Sequence, residues 1–312
     1  MNLHYPAAPR AIALALALAV PAPPGAESPQ PPRFQSGVEV IRLSVSVTDE
    51  KGRHVSGVAE KDFAVFEDGV RQDLSFFTRD ALPLSGALLL DCSASMDQKL
   101  RVAQEAGVRF VRALRPQDAA QVVQFSDRVQ VLQDFTSDQG VLEGALRTTR
   151  ASGATVLYNS LYVTLKELRD QGTPDAPRRR AVVLLSDGED TASLATEDQV
   201  LALGREGEIA VYAISLRLDT TLAREEAAVS RAKYFLTTLT RDTGGEVYFP
   251  ERLSDLDTVY SRIAEDLRSK YTLGYVSTNG NRDGRWPRIQ VRTPGREGLR
   301  TRHKLGYYGA RG

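Results

Sequence analysis

From residue 86 onward, short apolar runs alternate with stretches of helical periodicity, and this order leaves few folds open to the chain. The runs are GALLLD at 86–91, AQVVQF at 120–125, AVVLLS at 181–186, IAVYAISL at 209–216 and EVYF at 246–249. Most show no polar alternation, so both faces of each strand must be covered, as in a parallel sheet layered by helices. The intervening segments supply those helices. In KLRVAQEAGVRFVRAL at 99–114, Leu100, Ala103, Gly107, Phe110, Val111 and Leu114 fall mainly on one face, and comparable helices are expected over 138–149, 158–169, 196–205, 222–243 and 253–270. VQVLQDF at 129–135 follows the second run too closely for a helical crossover. It should form an antiparallel hairpin with that run, with Asp127 and Arg128 in the turn. The expected class is α/β, a doubly wound and mostly parallel sheet that starts at Gly86.

Both ends of the chain read differently. In IRLSVSVTD at 41–49, Ile41, Leu43, Val45 and Val47 alternate with polar residues, the period of a half-buried strand. Asp68-Gly69 lies between two apolar segments, a hairpin signal because both residues accept positive φ. Residues 35–80 therefore suggest a small β module. After 270, YTLGYV, RIQVRT and HKLGYY read as strands, with NGNRDG as a loop between the first two. These C-terminal β segments, 273–312, are expected either to complete the sheet or to pair with 35–80.

At the N-terminus, Arg10 precedes the apolar run AIALALALAV and then PAPPGAES, the layout of a secretory signal peptide over 1–26. ESPQPPRF, ending at Phe34, follows as a proline-rich linker, 27–34. The expected location is secreted, periplasmic or at the cell envelope, with no membrane span after signal cleavage. Forty basic and forty acidic side chains give no net charge, which argues against nucleic acid as a partner. A lone cysteine, Cys92, forms no intramolecular disulfide, and His4, His54 and His303 show no metal-ligand spacing, so zinc chemistry is not expected.

The chemistry-bearing residues gather at the strand ends. Asp91, Ser93 and Ser95 stand at i, i+2 and i+4 where the first run stops. Thr155 sits in the loop SGAT before a helix, and Asp187 ends the run expected to neighbour the first. In an open α/β sheet this crest is where ligands bind. Two carboxylates and three hydroxyls are hard oxygen donors, suited to Mg²⁺ or Mn²⁺. Serines after a strand also serve as turn formers, so D-x-S-x-S alone would not separate metal site from turn.

At these residues the chain resembles the von Willebrand factor type A domain. DCSAS is similar to that family's D-x-S-x-S motif, GAT to its threonine loop and LLSDGED to its distal aspartate, in order, across about 83–272. The signal-like leader, the segment VSVTDEKGRHVSGVAEKDFAVFEDG and the closing LGY before DGRWPRIQV resemble an exported bacterial subgroup. The resemblance implies a Rossmann-like fold and a metal-ion-dependent adhesion site. Ser93 and Ser95 would bind the ion directly, Asp91 and Asp187 largely through water, and Thr155 directly or through water. A protein partner's carboxylate would complete the coordination. Neutral hydroxyls leave such a cation under-neutralised, whereas Glu189 and Asp190 near the rim would repel an acidic partner unless turned away or themselves bound to cation.

An enzyme is not expected. No histidine is placed to activate Cys92, which reads as a buried structural thiol, and SRAK at 230–233 lacks the companion motifs of a serine–lysine enzyme. RRR at 178–180 precedes a buried strand and is read as solvated. Two alternatives stay open: a metal-dependent hydrolase, and a scaffold whose metal is purely structural.

Overall fold

The structure, a computed structural model, describes residues 40–79, 82–171, 177–187, 189–216, 223–279 and 286–308. The expected leader, the linker and most of the NGNRDG loop lie outside these residues.

Four strands come first: β1 (Val40–Thr48), β2 (Ala64–Glu67), β3 (Val70–Gln72) and β4 (Leu74–Thr78). β2 and β3 form the hairpin expected at Asp68-Gly69, where φ is 47° and 85°. The alternating region follows as β5 (Leu84–Asp91), α1 (Leu100–Arg112), β6 (Ala119–Phe125), β7 (Val129–Thr136), α2 (Gln139–Arg147), α3 (Leu157–Asp170) and β8 (Arg179–Ser186). It continues with α4 (Glu197–Glu206), β9 (Ile209–Ser215), α5 (Ala223–Thr243), β10 (Val247–Tyr248) and α6 (Leu256–Arg268). The last strands are β11 (Tyr271–Val276), β12 (Ile289–Arg292) and β13 (Arg300–Arg302).

The central sheet has the order β10-β9-β8-β5-β6-β7, parallel except for β7, which returns antiparallel beside β6. Strand alternation divides the apolar runs between two cores. Leu88 and Leu90 pack with α1, α2 and α6, whereas Ala87 and Leu89 pack with α3, α4 and α5. A buried leucine contributes about 1.5–3 kcal/mol, so neither helical layer is dispensable.

Two smaller antiparallel sheets join the chain's ends, in the orders β13-β1-β11-β4 and β12-β2-β3. Ile41, Leu43, Val45 and Val47 from β1 share a core with Phe63, Val65, Leu273 and Tyr275. The third C-terminal strand lies earlier than HKLGYY suggests, at Arg300–Arg302. Over 303–308 tertiary bonds replace a ladder: His303 Nε2 accepts from Val291 N, and Leu305 N donates to the Asp242 carbonyl. A Cβ at Gly306 would meet the Pro287 carbonyl oxygen at 2.4 Å, so the segment passes too close to its neighbour for a side chain there.

The two parts are locked by Asp266, on the buried face of α6 with Val259, Ile263 and Leu267. Its carboxylate accepts from Ser46 Oγ at 2.5 Å and from the Tyr212 hydroxyl, and pairs with Arg302 at 2.9 Å and Lys270 at 3.8 Å. Strands from both ends of the chain and from the central sheet thus meet on one acid.

Candidate metal centre

The connection after β5 goes to β6 on one side and the chain later returns to β8 on the other, so β5 marks the point where the winding reverses. Loops leaving its carboxyl end diverge and open a crevice there.

Asp91 closes β5 and is fully buried. Oδ1 accepts from the Ser93 amide at 2.9 Å, and Oδ2 accepts from Ser186 Oγ at 2.6 Å. Ser93 is buried, and its hydroxyl lies 3.1 Å from that of the exposed Ser95. A single 3₁₀ turn, Ala94–Met96, then drops Met96 into the core. The threonine loop is sewn to this turn by backbone bonds, Ser152 N to Cys92 O at 2.7 Å and Ala94 N to Gly153 O at 3.1 Å. Gly153 has φ 76°, and a Cβ there would press on the Asp127 side chain at 3.3 Å, so the approach of the threonine loop to the turn between β6 and β7 depends on glycine. Thr155 is buried, its backbone clasped by Thr191, whose Oγ1 accepts from Thr155 N at 2.9 Å and whose own N donates to Thr155 O at 2.9 Å.

Asp187 follows β8 and is also buried. Its Oδ2 lies 3.8 Å from Lys99 Nζ, and its Oδ1 is buried without any hydrogen bond. Burial pushes the Asp91 carboxyl above its ordinary value and the charge of Asp187 adds to this, against hydrogen bonds from Ser186 and Ser93. Two buried acids at neighbouring strand ends, one with an orphaned oxygen, call for positive charge beyond that of Lys99. No group of three or more His, Cys, Asp or Glu side chains arranged to hold a metal occurs among the described residues. A cation here would need the hydroxyls of Ser93, Ser95 and Thr155 to complete its shell, and hard oxygens of this kind are the donor type that suits Mg²⁺ or Mn²⁺.

Ser186 and Asn159, which shape the crest, escaped the sequence reading, which took Asp190 as a rim charge. Ser186 continues the register in which Leu90 pairs with Leu185, so the pairing of β5 with β8 alone places it opposite Asp91. Asp190 is turned away from the crest: its carboxylate accepts from Tyr158 N at 3.0 Å in the first turn of α3 and from Ser193 Oγ at 2.5 Å. Asn159 Oδ1 accepts from Leu194 N at 3.1 Å and Ala195 N at 2.8 Å, which fixes a loop presenting Leu194 at 92% exposure. Asp190→Ala removes a capping interaction and is expected to cost about 1 kcal/mol in urea unfolding.

Cys92 is buried, and burial pushes its thiol up to about 12, with the Asp91 charge adding. Native protein is expected to resist thiol reagents at pH 8, with stoichiometric labelling only after denaturation; rapid labelling of the folded chain would contradict this burial.

The family model for the von Willebrand factor type A domain matches residues 87–189, the stretch that contains Asp91, Ser93, Ser95, Thr155 and Asp187. Residues 87–189 thus match a von Willebrand factor type A domain. A UPF0353 protein of Nocardia farcinica (strain IFM 10152) is 23% identical over 229 residues, covering 64% of this chain and 66% of the relative, just under two thirds of its length. Among solved structures, a von Willebrand factor type A protein from Catenulispora acidiphila aligns with TM-score 0.50 and 14% identity, over 88% of this chain and 75% of that one. The von Willebrand factor domain of the type V pili tip protein Mfa5 from Porphyromonas gingivalis aligns with TM-score 0.48 and 13% identity, over 59% and 95%. Type A domains are often protein-interaction modules that bind a divalent metal. No helix among the described residues is long and apolar enough to cross a membrane.

Proposed function

We propose that this type A domain, residues 83–272, holds Mg²⁺ or Mn²⁺ at Asp91, Ser93, Ser95, Thr155 and Asp187, and through it binds an acidic group of a protein partner outside the cytoplasm. The observation that carries the reading is the buried, unpartnered Asp187 Oδ1 beside the desolvated Asp91. A bound cation would supply a Lewis-acidic charge for an incoming carboxylate. The chain's own residues do the rest. Ser93 and Ser95 offer neutral oxygens that leave the charge uncompensated, while Ser186 and the Ser93 amide orient Asp91. Asp190, directed at α3, leaves the rim less repulsive to an acid. The exposed Leu194 adds an apolar contact at the same edge.

The test is retention of cell-envelope proteins on immobilised protein. A partner held in Mg²⁺, released by chelator and absent with Asp91→Ala/Ser93→Ala supports the reading. A partner whose retention ignores both changes would show the metal to be structural.

A further inference from the structure

The opposite end of the sheet, where β8 and β9 begin, holds a cavity of about 70 Å³ that the crest does not use. Its wall combines those strand starts with the end of α6 and with β1 and β11 of the small sheet. Room for one water needs about 10–15 Å³ on the same measure, so several waters or one small ion fit.

The lining is strongly one-signed. Six basic side chains, among them Arg42, Arg179, Lys270 and Lys304, face one acid, Glu208. Most of these cations are already committed. Lys304 pairs with Glu208 at 3.5 Å, Lys270 donates to the Gly244 carbonyl at 3.2 Å, and Arg178 and Arg180 donate to backbone carbonyls.

Arg179 is different, and it corrects the expectation that RRR is solvated. Strand alternation turns this middle arginine inward, to 7% exposure. Nε donates to Leu82 O at 3.0 Å, but Nη1 is buried with no hydrogen-bond partner. Thr272, at 3% exposure on the same cavity wall, has a buried Oγ1 that is equally unpartnered. The carboxylates that reach Arg179 electrostatically are engaged elsewhere, Asp118 by Arg115 and Asp266 by Lys270 and Arg302. Burial, with the Arg115 charge adding, pushes the guanidinium down to about 10, the response of a cation short of negative charge. A buried donor with no acceptor is costly, and the guanidinium fork matches an oxyanion in shape and charge.

We propose that this cavity binds a small oxyanion, the phosphate or carboxylate group of a ligand, through Arg179 Nη1 and Thr272 Oγ1, with the exposed Arg42 adding charge. The site is separate from the cation at the crest and independent of it.

The test is calorimetric titration of the full chain with inorganic phosphate and, separately, acetate, in buffer stripped of divalent cations and with chloride at matched ionic strength as the control. Saturable binding with a Kd at or below about 1 mM is expected for at least one anion. The anion preferred tells a phosphoryl from a carboxylate ligand. Thr272→Val, which keeps the shape, is expected to weaken binding about tenfold, and Arg179→Met to abolish it, while Asp91→Ala/Ser93→Ala leaves it unchanged. No saturable binding by either anion, an equal response to chloride, or unchanged affinity in Thr272→Val would each overturn the proposal. Should Arg179→Met fail to fold, the Thr272→Val affinity decides.

Discussion

Asp266→Ala is expected to destabilise the protein by about 3–5 kcal/mol, because it leaves Lys270 and Arg302 facing a buried cavity with their shared counter-charge gone. Burial by itself would raise this carboxyl. Lys270 and Arg302, aided by hydrogen bonds from Ser46 and Tyr212, outweigh burial and hold it far below the ordinary carboxylate range. The linkage has a definite sign. A carboxyl whose folded value lies below its unfolded value of 3.8 adds stability at higher pH that is lost as the pH falls below that value. Equilibrium urea unfolding across pH 2–7 is the measurement, with the wild type losing stability on the acid side and Asp266→Ala showing a shallower loss. A variant within about 1 kcal/mol of wild type would mean that the ion cluster does not bind the two parts together.

Saturating Mg²⁺ or Mn²⁺ is expected to stabilise the folded chain by about 2.7 kcal/mol at a hundredfold excess over Kd, or roughly 5–10 °C in melting temperature for a domain of this size. Asp91→Ala/Ser93→Ala should abolish the shift, and an unchanged shift in that variant would remove the site assignment. Metal-free protein should behave oppositely to the Asp266 cluster with respect to pH. The folded Asp91 carboxyl lies above 3.8, so the folded state binds the extra proton, and the penalty of this buried charge is relieved as the pH falls toward that value. Added cation removes the same penalty at neutral pH. Its effect should therefore shrink as the solution is acidified.

How much of this could be read beforehand depends on how local the governing interaction is. β5, β8 and β9 were legible because runs such as LLL and VVLL admit only strands covered on both faces. The crest followed, since Asp91 and Asp187 end neighbouring strands whatever the loops do. Ser186 was hidden by lying inside an apolar run, although register exposes it. Asp190 read as a rim charge because its acceptor role toward α3 is a contact between distant segments. At 178–180 charge outweighed alternation in the reading, whereas in the fold alternation wins for Arg179. Asp266 left a trace too, an acid on the stripe of Val259, Ile263 and Leu267, but nothing near it in sequence names Arg302 or Ser46.

The pairing of β1 with β11 and β13 has a consequence for the order of events during synthesis. β1 leaves the ribosome more than two hundred residues before either strand beside it, Val40 waiting for Val276 and Ser46 for Arg302. The central sheet draws its strands from β5 to β10 alone, and α6, which packs on it, follows directly. Contacts so distant along the chain are slow to form, and the entropy of closing the loop precedes any reward. The nascent α/β layer can thus consolidate while an apolar strand stays unpaired, and the later return of β11 and β13 to β1, with Arg302 reaching Asp266, becomes the step that joins the two parts.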